Sequence, residues 1–505
     1  MKKLLFRLTF SHTFVIILTL LEVGGKRYGE FFKRLFAKED PSVYQKKDAH
    51  LIQVLTVKDF LALGVGTIVS TSIFTLPGVV AANYAGPAVA ISFLVAAVVA
   101  GLVAFAYAEM SSAMPFAGSA FSWISVVFGE FFGWIAGWAL LAEYFIAVAF
   151  VGSGFSANIR GLLAPIGFNL PASLSNPFGT NGGIVDLMSL VVILLVAFLL
   201  SRGVSEAARV ENALVILKVF AIILFIIVGA TAVKASNYVP FIPEHRLNAD
   251  GTHFGGWQGI YAGVSSIFLS YIGFDSIAAN AAEAKNPSKT MPRGILGSLL
   301  IAVVLFVAVA LVLVGMFKYS SYAGNAEPVG WALRKAGHGV IASVVQAIAV
   351  FGMFTALIGM MMAGSRLLYS FGRDGLLSKW LGVLNENNLP NHALFVLTVI
   401  AVILGAFFPF QVLSQLISAG TLIAFMFVSL GIYALRPREG KDLPVPGFKM
   451  PLYPVLPALA FIGALIVFLG LDIEAKEYSL YWFIIGVVVY IVYGMHHSNL
   501  QKNLK

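Results

Sequence analysis

The chain has no cysteine, which excludes disulfides, thiolate metal sites and cysteine nucleophiles from its chemistry. Charge is scarce too: 11% of residues are Asp, Glu, Lys or Arg, against 59% hydrophobic, and mean hydropathy is +0.89. A chain so poor in charge cannot keep its apolar surface out of water as a soluble globule, so the composition predicts a polytopic membrane protein. Histidine is missing at membrane depth. All 8 histidines (12, 50, 245, 253, 338, 392, 496 and 497) fall outside or at the edges of the apolar runs, which argues against an intramembrane metal cluster or imidazole catalysis. No nucleophile motif sits in those runs either, so an enzyme is a poor reading.

What is present is a succession of long apolar runs, near 57–80, 87–112, 131–156, 184–201, 210–233, 258–282, 294–317, 340–368, 393–409, 412–433, 454–472 and 478–495. Each can cross a hydrocarbon core of roughly 30 Å, some with tilt, predicting twelve transmembrane helices with both termini on one side. Net charge of +9 matters here through its placement rather than as a signal for nucleic acid, which is not expected as a partner. Of 33 Lys and Arg residues, 25 fall on the side of the termini and 7 on the other, with Lys218 inside a span. That asymmetry predicts cytoplasmic termini in a cell membrane, with residues 1–56 and 496–505 as cytoplasmic segments. The run Phe14–Leu21 lacks a small-residue cleavage site and is followed by basic residues. It reads as a membrane-surface amphipathic helix, or as the product of a start codon assigned too far upstream, rather than as a signal peptide; whether residues 1–25 exist in the mature protein stays open.

Two runs are interrupted. In the first, Gly66-Thr67-Ile68-Val69-Ser70-Thr71-Ser72-Ile73-Phe74 crowds small, β-branched and hydroxyl residues where leucines would normally run. About two hundred residues later Ser270-Tyr271-Ile272-Gly273-Phe274-Asp275 does the same in the sixth run. Paired interruptions in corresponding halves of a membrane chain point to a transporter binding site. Ionisable residues at depth add to the pattern. Glu143, in Trp138-Ala139-Leu140-Leu141-Ala142-Glu143-Tyr144, reads either as a pocket-lining or proton-sensitive carboxyl or as a structural pair with a neighbouring helix. Lys218 reads either as a buried amine able to take up and release a proton or as a side chain snorkelling to the inner interface.

Tyr107-Ala108-Glu109 followed by Pro115 and Gly118-Ser119 resembles the end of the second helix in the amino acid–polyamine–organocation superfamily of permeases. With Glu143-Tyr144, Lys218, Ile272-Gly273-Phe274-Asp275, Asn286-Pro287 and Arg373-Asp374-Gly375 following in family order, the chain resembles the cationic amino acid transporter branch, in its bacterial form, over most of residues 50–495. The resemblance implies an all-α, LeuT-like fold: two inverted five-helix repeats, about 57–233 and 257–433, plus two helices over 454–495. It also implies a secondary active amino acid permease working by alternating access, with no cofactor, the proton as coupling ion, and an amino acid and the lipid bilayer as partners. A small membrane accessory subunit stays open.

By the same resemblance, backbone N–H groups of Thr71, Ser72 and Ile73 meet the substrate carboxylate. Carbonyls of Leu269, Ser270 and Ile272 accept from its ammonium, and Phe274 lids the pocket. Lys218 reaches the first break, where sodium-coupled relatives hold a cation. One departure is Ser70-Thr71-Ser72 in place of the family's usual Gly-Thr-Gly, which adds hydroxyls and removes conformational freedom. Cationic specificity does not follow from the branch name, since the branch includes bacterial carriers of neutral amino acids. The side-chain positions Ile68, Val69, Leu269, Ile272 and Phe274 are apolar, and only Glu143 is an obvious acidic candidate for a cationic substrate. A neutral aliphatic, branched-chain substrate is therefore the expectation, with a cationic amino acid or polyamine carrier or exchanger as the alternative. A non-transporting sensor would typically carry a sizeable soluble extension, and none is visible.

Overall fold

The computed structural model describes residues 34–48, 53–116, 118–203, 208–249, 251–387 and 389–503. The expectations for Phe14–Leu21 and residues 1–25 fall outside them. Helices dominate: α1 (Pro41–Asp48), α2 (Val57–Ile68), α3 (Thr71–Val80), α4 (Val89–Ala113), α5 (Ser119–Val127), α6 (Glu130–Leu163), α7 (Leu187–Ser201) and α8 (Ala208–Ala230) in the first half. Then follow α9 (Gly256–Ile267), α10 (Phe274–Ala279), α11 (Pro287–Met316), α12 (Pro328–Lys335), α13 (Gly339–Arg373), α14 (Asn391–Phe407), α15 (Phe410–Leu435), α16 (Val455–Leu469), α17 (Ile473–Val489) and α18 (Asn499–Asn503). Among the described residues, one antiparallel hairpin, β1 (Arg246–Leu247) with β2 (His253–Phe254), is the only sheet.

The described residues hold 8 helical runs long and apolar enough to cross a membrane, plus 3 shorter apolar helices. One of the 8, Thr71–Ala113, contains both α3 and the whole of α4, so the runs accommodate the twelve spans read from the sequence. Several boundaries move. Between the first two spans the chain stays helical, with a π-helical stretch, Ala81–Ala85, and a 3-10 turn, Gly86–Ala88, leading straight into α4. The basic stretch before the seventh span is the start of α11, because Pro287 fits the first helical position, where no N–H is needed. Spans three and eight also run further than expected, as α6 and α13. The connecting helices α5 and α12 are short, and single-sequence periodicity passes over them.

The broken pairs α2/α3 and α9/α10 sit at the centre of the molecule. Helix α11 packs on α2 and α4, α6 packs on α13 and α15, and α8 lies against α2, α11 and α13. On the face of the termini, Leu55 N donates to Glu283 O at 2.9 Å and Lys285 N to Leu55 O at 2.9 Å. The strand-like segment before α2 is thereby tied to the segment after α10. The Tyr-Ala-Glu motif has a partner on that face: Glu109 pairs with Arg436 at 2.6 Å and accepts from Met450 N at 2.6 Å.

Candidate functional site

Residues 67–71 are β-branched or hydroxyl-bearing, types that lose rotamer freedom in a helix or compete for its backbone bonds. Thr67 Oγ1 already bonds back to Leu63 O at 2.9 Å. Val69 N still reaches Val65 O at 2.9 Å, but Ser70 N turns to Ile68 O at 3.0 Å, and α2 stops. The break is narrower than the sequence suggested. Only Val69 and Ser70 leave the helix, and α3 restarts at Thr71.

Because Ser70 does not bond to Gly66, the Gly66 carbonyl is released, and Lys218 Nζ of α8 donates to it at 2.8 Å. Lys218 is 4% exposed, so its side chain points into the protein and does not snorkel. A glycine makes this possible: a Cβ on Gly352 of α13 would lie 2.5 Å from Lys218 Cδ. The ammonium therefore caps the negative C-terminal end of α2.

The second break begins with a 3-10 turn, Phe268–Tyr271, that tightens the end of α9. Ile272 is extended, Gly273 has φ of +134°, and α10 starts at Phe274. Glycine is required at 273 twice over, by that φ and by the approach of the other break: a Cβ would lie 3.0 Å from Ile68 N. Thr67 Oγ1 reaches Gly273 O at 3.3 Å, joining the two breaks directly. Asp275 Oδ1 accepts from Gly273 N at 3.0 Å, placing a carboxylate at the positive start of α10. Of the carbonyls expected for an ammonium, that of Leu269 is already engaged, by Ile272 N at 3.1 Å.

Glu143 of α6 lies beside this second break. Its carboxyl accepts from Thr421 Oγ1 of α15 at 2.7 Å and lies beside the Asp275 side chain. Phe274 is buried against Phe425, 5.1 Å between centroids, and against Tyr107 at 5.3 Å. Ile68, Val69, Ser72, Ile73 and Leu269 are buried and Ile272 partly so. Thr71 Oγ1, Ser270 Oγ and Tyr107 OH are buried without a hydrogen-bond partner.

All the residues read from the sequence therefore lie on or beside the two breaks. Four participants had no individual role in the sequence reading, although Gly66 and Asp275 stand in the two interruptions and Tyr107 in the second-helix motif. Asp275 carried a usable signal, since an acidic residue inside an apolar run seeks a partner or a cavity. Thr421 had none beyond ordinary helix composition. Among the described residues, no group of three or more His, Asp or Glu is placed to hold a metal ion.

The four helix ends at the breaks differ in charge. The ends on the side of the termini, those of α2 and α10, carry Lys218 and Asp275, each opposite in sign to the helix end it meets. The ends on the opposite side carry uncharged residues: the N-terminus of α3 offers the N–H groups of Thr71, Ser72 and Ile73, and the turn after α9 ends on Ser270 and Tyr271. One donor-rich and one acceptor-rich end, packed against each other, complement a small zwitterion.

Comparison with known proteins agrees. The amino acid permease family model matches residues 55–493. The branched-chain amino acid permease of Lactococcus lactis subsp. cremoris is 68% identical over 90% of this chain and 98% of its own length. The methylthioribose transporter of Bacillus subtilis is 34% identical over 91% of this chain and 97% of its own. A vacuolar cationic amino acid transporter of Arabidopsis thaliana is 32% identical over 78% of this chain and 65% of its own. The chain belongs to the amino acid permease family and has that family's multi-span, LeuT-like helical fold.

Proposed function

We propose that this permease brings neutral aliphatic amino acids, branched-chain ones above all, into the cell together with protons by alternating access. The observation that carries the reading is the distribution of charge over the four helix ends: the chain's own charges occupy the inner two. The substrate carboxylate lies at the N–H groups of Thr71, Ser72 and Ile73, and its ammonium at the carbonyls of Ser270 and its neighbours. Ile68, Val69, Leu269, Ile272 and Phe274 surround the side chain. Their apolar character and the name of the 68% identical relative favour a branched aliphatic substrate. A cationic side chain is disfavoured because Glu143 is already bonded to Thr421 and lies beside Asp275.

In this reading Lys218 is the proton-coupling residue. Its ammonium holds α2, the inner half of helix one, against α8 and α13; a deprotonated amine loses the charge that caps the helix and releases it. The termini face the cytoplasm of a bacterial plasma membrane, as the Lys and Arg asymmetry supports, and residues 57–233 and 257–433 form the two inverted repeats.

Uptake of labelled leucine, alanine and arginine into proteoliposomes, with and without an inward proton gradient, tests this. Gradient-stimulated leucine uptake that exceeds arginine uptake is expected. Arginine uptake alone would overturn the substrate assignment, and leucine uptake indifferent to the gradient would overturn proton coupling.

A further inference from the structure

Between α8 and α9, on the face opposite the termini, the chain turns back on itself in the hairpin β1–β2. Its register pairs Arg246 with Phe254 and Leu247 with His253, so the alternation of side chains puts His245, Leu247 and His253 on one face of the ribbon. His245 and His253 are diagonal neighbours there. Both are exposed, and His245 Nε2 stands 2.9 Å from His253 Nδ1, with 5.1 Å between the ring centroids. The pair takes no part in the site at the two breaks.

The backbone that carries the pair is fixed at both ends of the hairpin. Asn248 N donates to Thr252 O at 2.8 Å at the turn, and Gly256 N donates to Pro243 O at 2.8 Å at the open end. Gly255 has φ of +71°, and a Cβ there would fall 2.2 Å from Glu244 O, so the strands meet this closely because residue 255 is glycine. The hairpin is also tied to the end of helix one. Gly255 N donates to Tyr84 O at 2.7 Å and Asn248 Nδ2 to Asn83 O at 3.0 Å. Positive charge is held away from the imidazoles: Arg246, on the opposite face, lies over the Phe254 ring at 4.5 Å. A carbonyl oxygen borders them instead. A Cβ on Gly256 would lie 2.9 Å from Gln258 Oε1 and 3.0 Å from His245 Cβ, which puts the amide of α9's first turn beside His245.

We propose that His245 and His253 are ligands of a site for a divalent transition-metal ion of the zinc class, with water and Gln258 Oε1 completing its shell. Each ring can carry its proton on the remote nitrogen, Nδ1 of His245 and Nε2 of His253, which leaves the two facing nitrogens as lone-pair donors. Zinc–nitrogen bonds of about 2.0–2.1 Å at a tetrahedral angle put two ligand nitrogens about 3.3 Å apart. From 2.9 Å the rings need separate by only about 0.4 Å. Imidazole suits zinc, nickel and copper, whereas magnesium and calcium take oxygen ligands. Two histidines with neutral oxygens make an exchangeable site rather than a resident one, in keeping with the lack, among the described residues, of any metal-holding group of three or more His, Asp or Glu.

Occupation has a mechanical consequence. The hairpin joins the end of helix one, through Asn83 and Tyr84, to the start of α9 at Gly256, and these two helices carry the two breaks. An ion held between its strands stiffens that connection and slows uptake. This last step rests on the proposed transport activity and orientation.

Calorimetric titration of the purified protein, freed of any affinity tag, with Zn²⁺ in detergent tests the site without reference to transport. A saturable Zn²⁺ site that Mg²⁺ does not fill is expected, weakened at least about ten-fold by His245→Asn and by His253→Asn. Both side chains are exposed, so both variants should keep the wild-type Tm. No saturable binding, or binding unchanged in both variants, overturns the proposal. Leucine uptake into right-side-out vesicles then tests the consequence. Zn²⁺ added outside is expected to slow wild-type uptake several-fold, reversibly with EDTA, and to leave both variants unaffected. Uptake indifferent to Zn²⁺ on either face overturns the mechanical consequence, and inhibition from the lumen alone overturns the orientation. Absence of leucine uptake before Zn²⁺ is added would overturn the proposed function and leave the binding result standing.

Discussion

The two breaks solve one problem with opposite charges. At the first, an interrupted helix exposes a carbonyl, and the chain answers with an ammonium, Lys218, from a helix whose sequence position is remote. At the second, the restarted helix exposes N–H groups, and the chain answers with a carboxylate, Asp275, from within its own first turn. The first arrangement is built from tertiary packing, including the socket at Gly352, and the second from local sequence. Both capping groups serve the inner half-helices. The outer half-helices keep backbone donors and acceptors plus the unpartnered hydroxyls of Thr71 and Ser270. A break that merely kinked a helix would not need this division of charge.

Removing the long-range charge gives the largest expected effect. Lys218→Ala leaves the Gly66 carbonyl buried without its donor and is expected to lower gradient-driven leucine uptake more than about ten-fold, with counterflow between substrate-loaded vesicles reduced less. Asp275→Asn keeps a polar side chain near Gly273 N but removes the local charge beside Glu143. A loss of about ten-fold in kcat/KM is expected, and a wild-type value would show that the second break needs no charge. Gly273→Ala attacks the contact between the breaks. Positive φ and the close approach to Ile68 should destabilise the protein by about 1–3 kcal/mol, read as a lower Tm in detergent. Thr71→Val and Ser270→Ala give the smallest change. Each removes one hydroxyl at an outer end, and a rise in KM of several-fold, about 1 kcal/mol, with kcat little changed is expected from uptake kinetics.

Much of this centre was legible in the sequence because it is written in local residue types. Glycine, serine and threonine crowding an apolar run marked both breaks to within a few residues, and a lysine inside such a run marked a buried amine. Lys218 itself stayed ambiguous between snorkelling and burial, since both fit its depth; the space opposite Gly352, in a helix far along the chain, decided it. The approach of Glu143 to Asp275 and the Glu109–Arg436 pair escaped for the same reason, joining residues that only tertiary packing brings together. The Leu269 carbonyl was expected to be free, but the 3-10 turn closes on it, a detail of a few degrees of backbone rotation that residue type does not encode.

The division of charge makes one claim that can be tested on the ligand rather than the protein: the two outer helix ends hold the two charges of a zwitterion. The most direct measurement is competition for labelled leucine uptake by unlabelled leucine, by leucinamide, which lacks the carboxylate, by 4-methylpentanoate, which lacks the ammonium, and by methylthioribose, which has neither. Leucine alone should compete, with each single-charge analogue weaker by about a hundred-fold or more, the equivalent of roughly 3 kcal/mol. Competition by either single-charge analogue, or by methylthioribose, at the strength of leucine would contradict the assignment of that helix end.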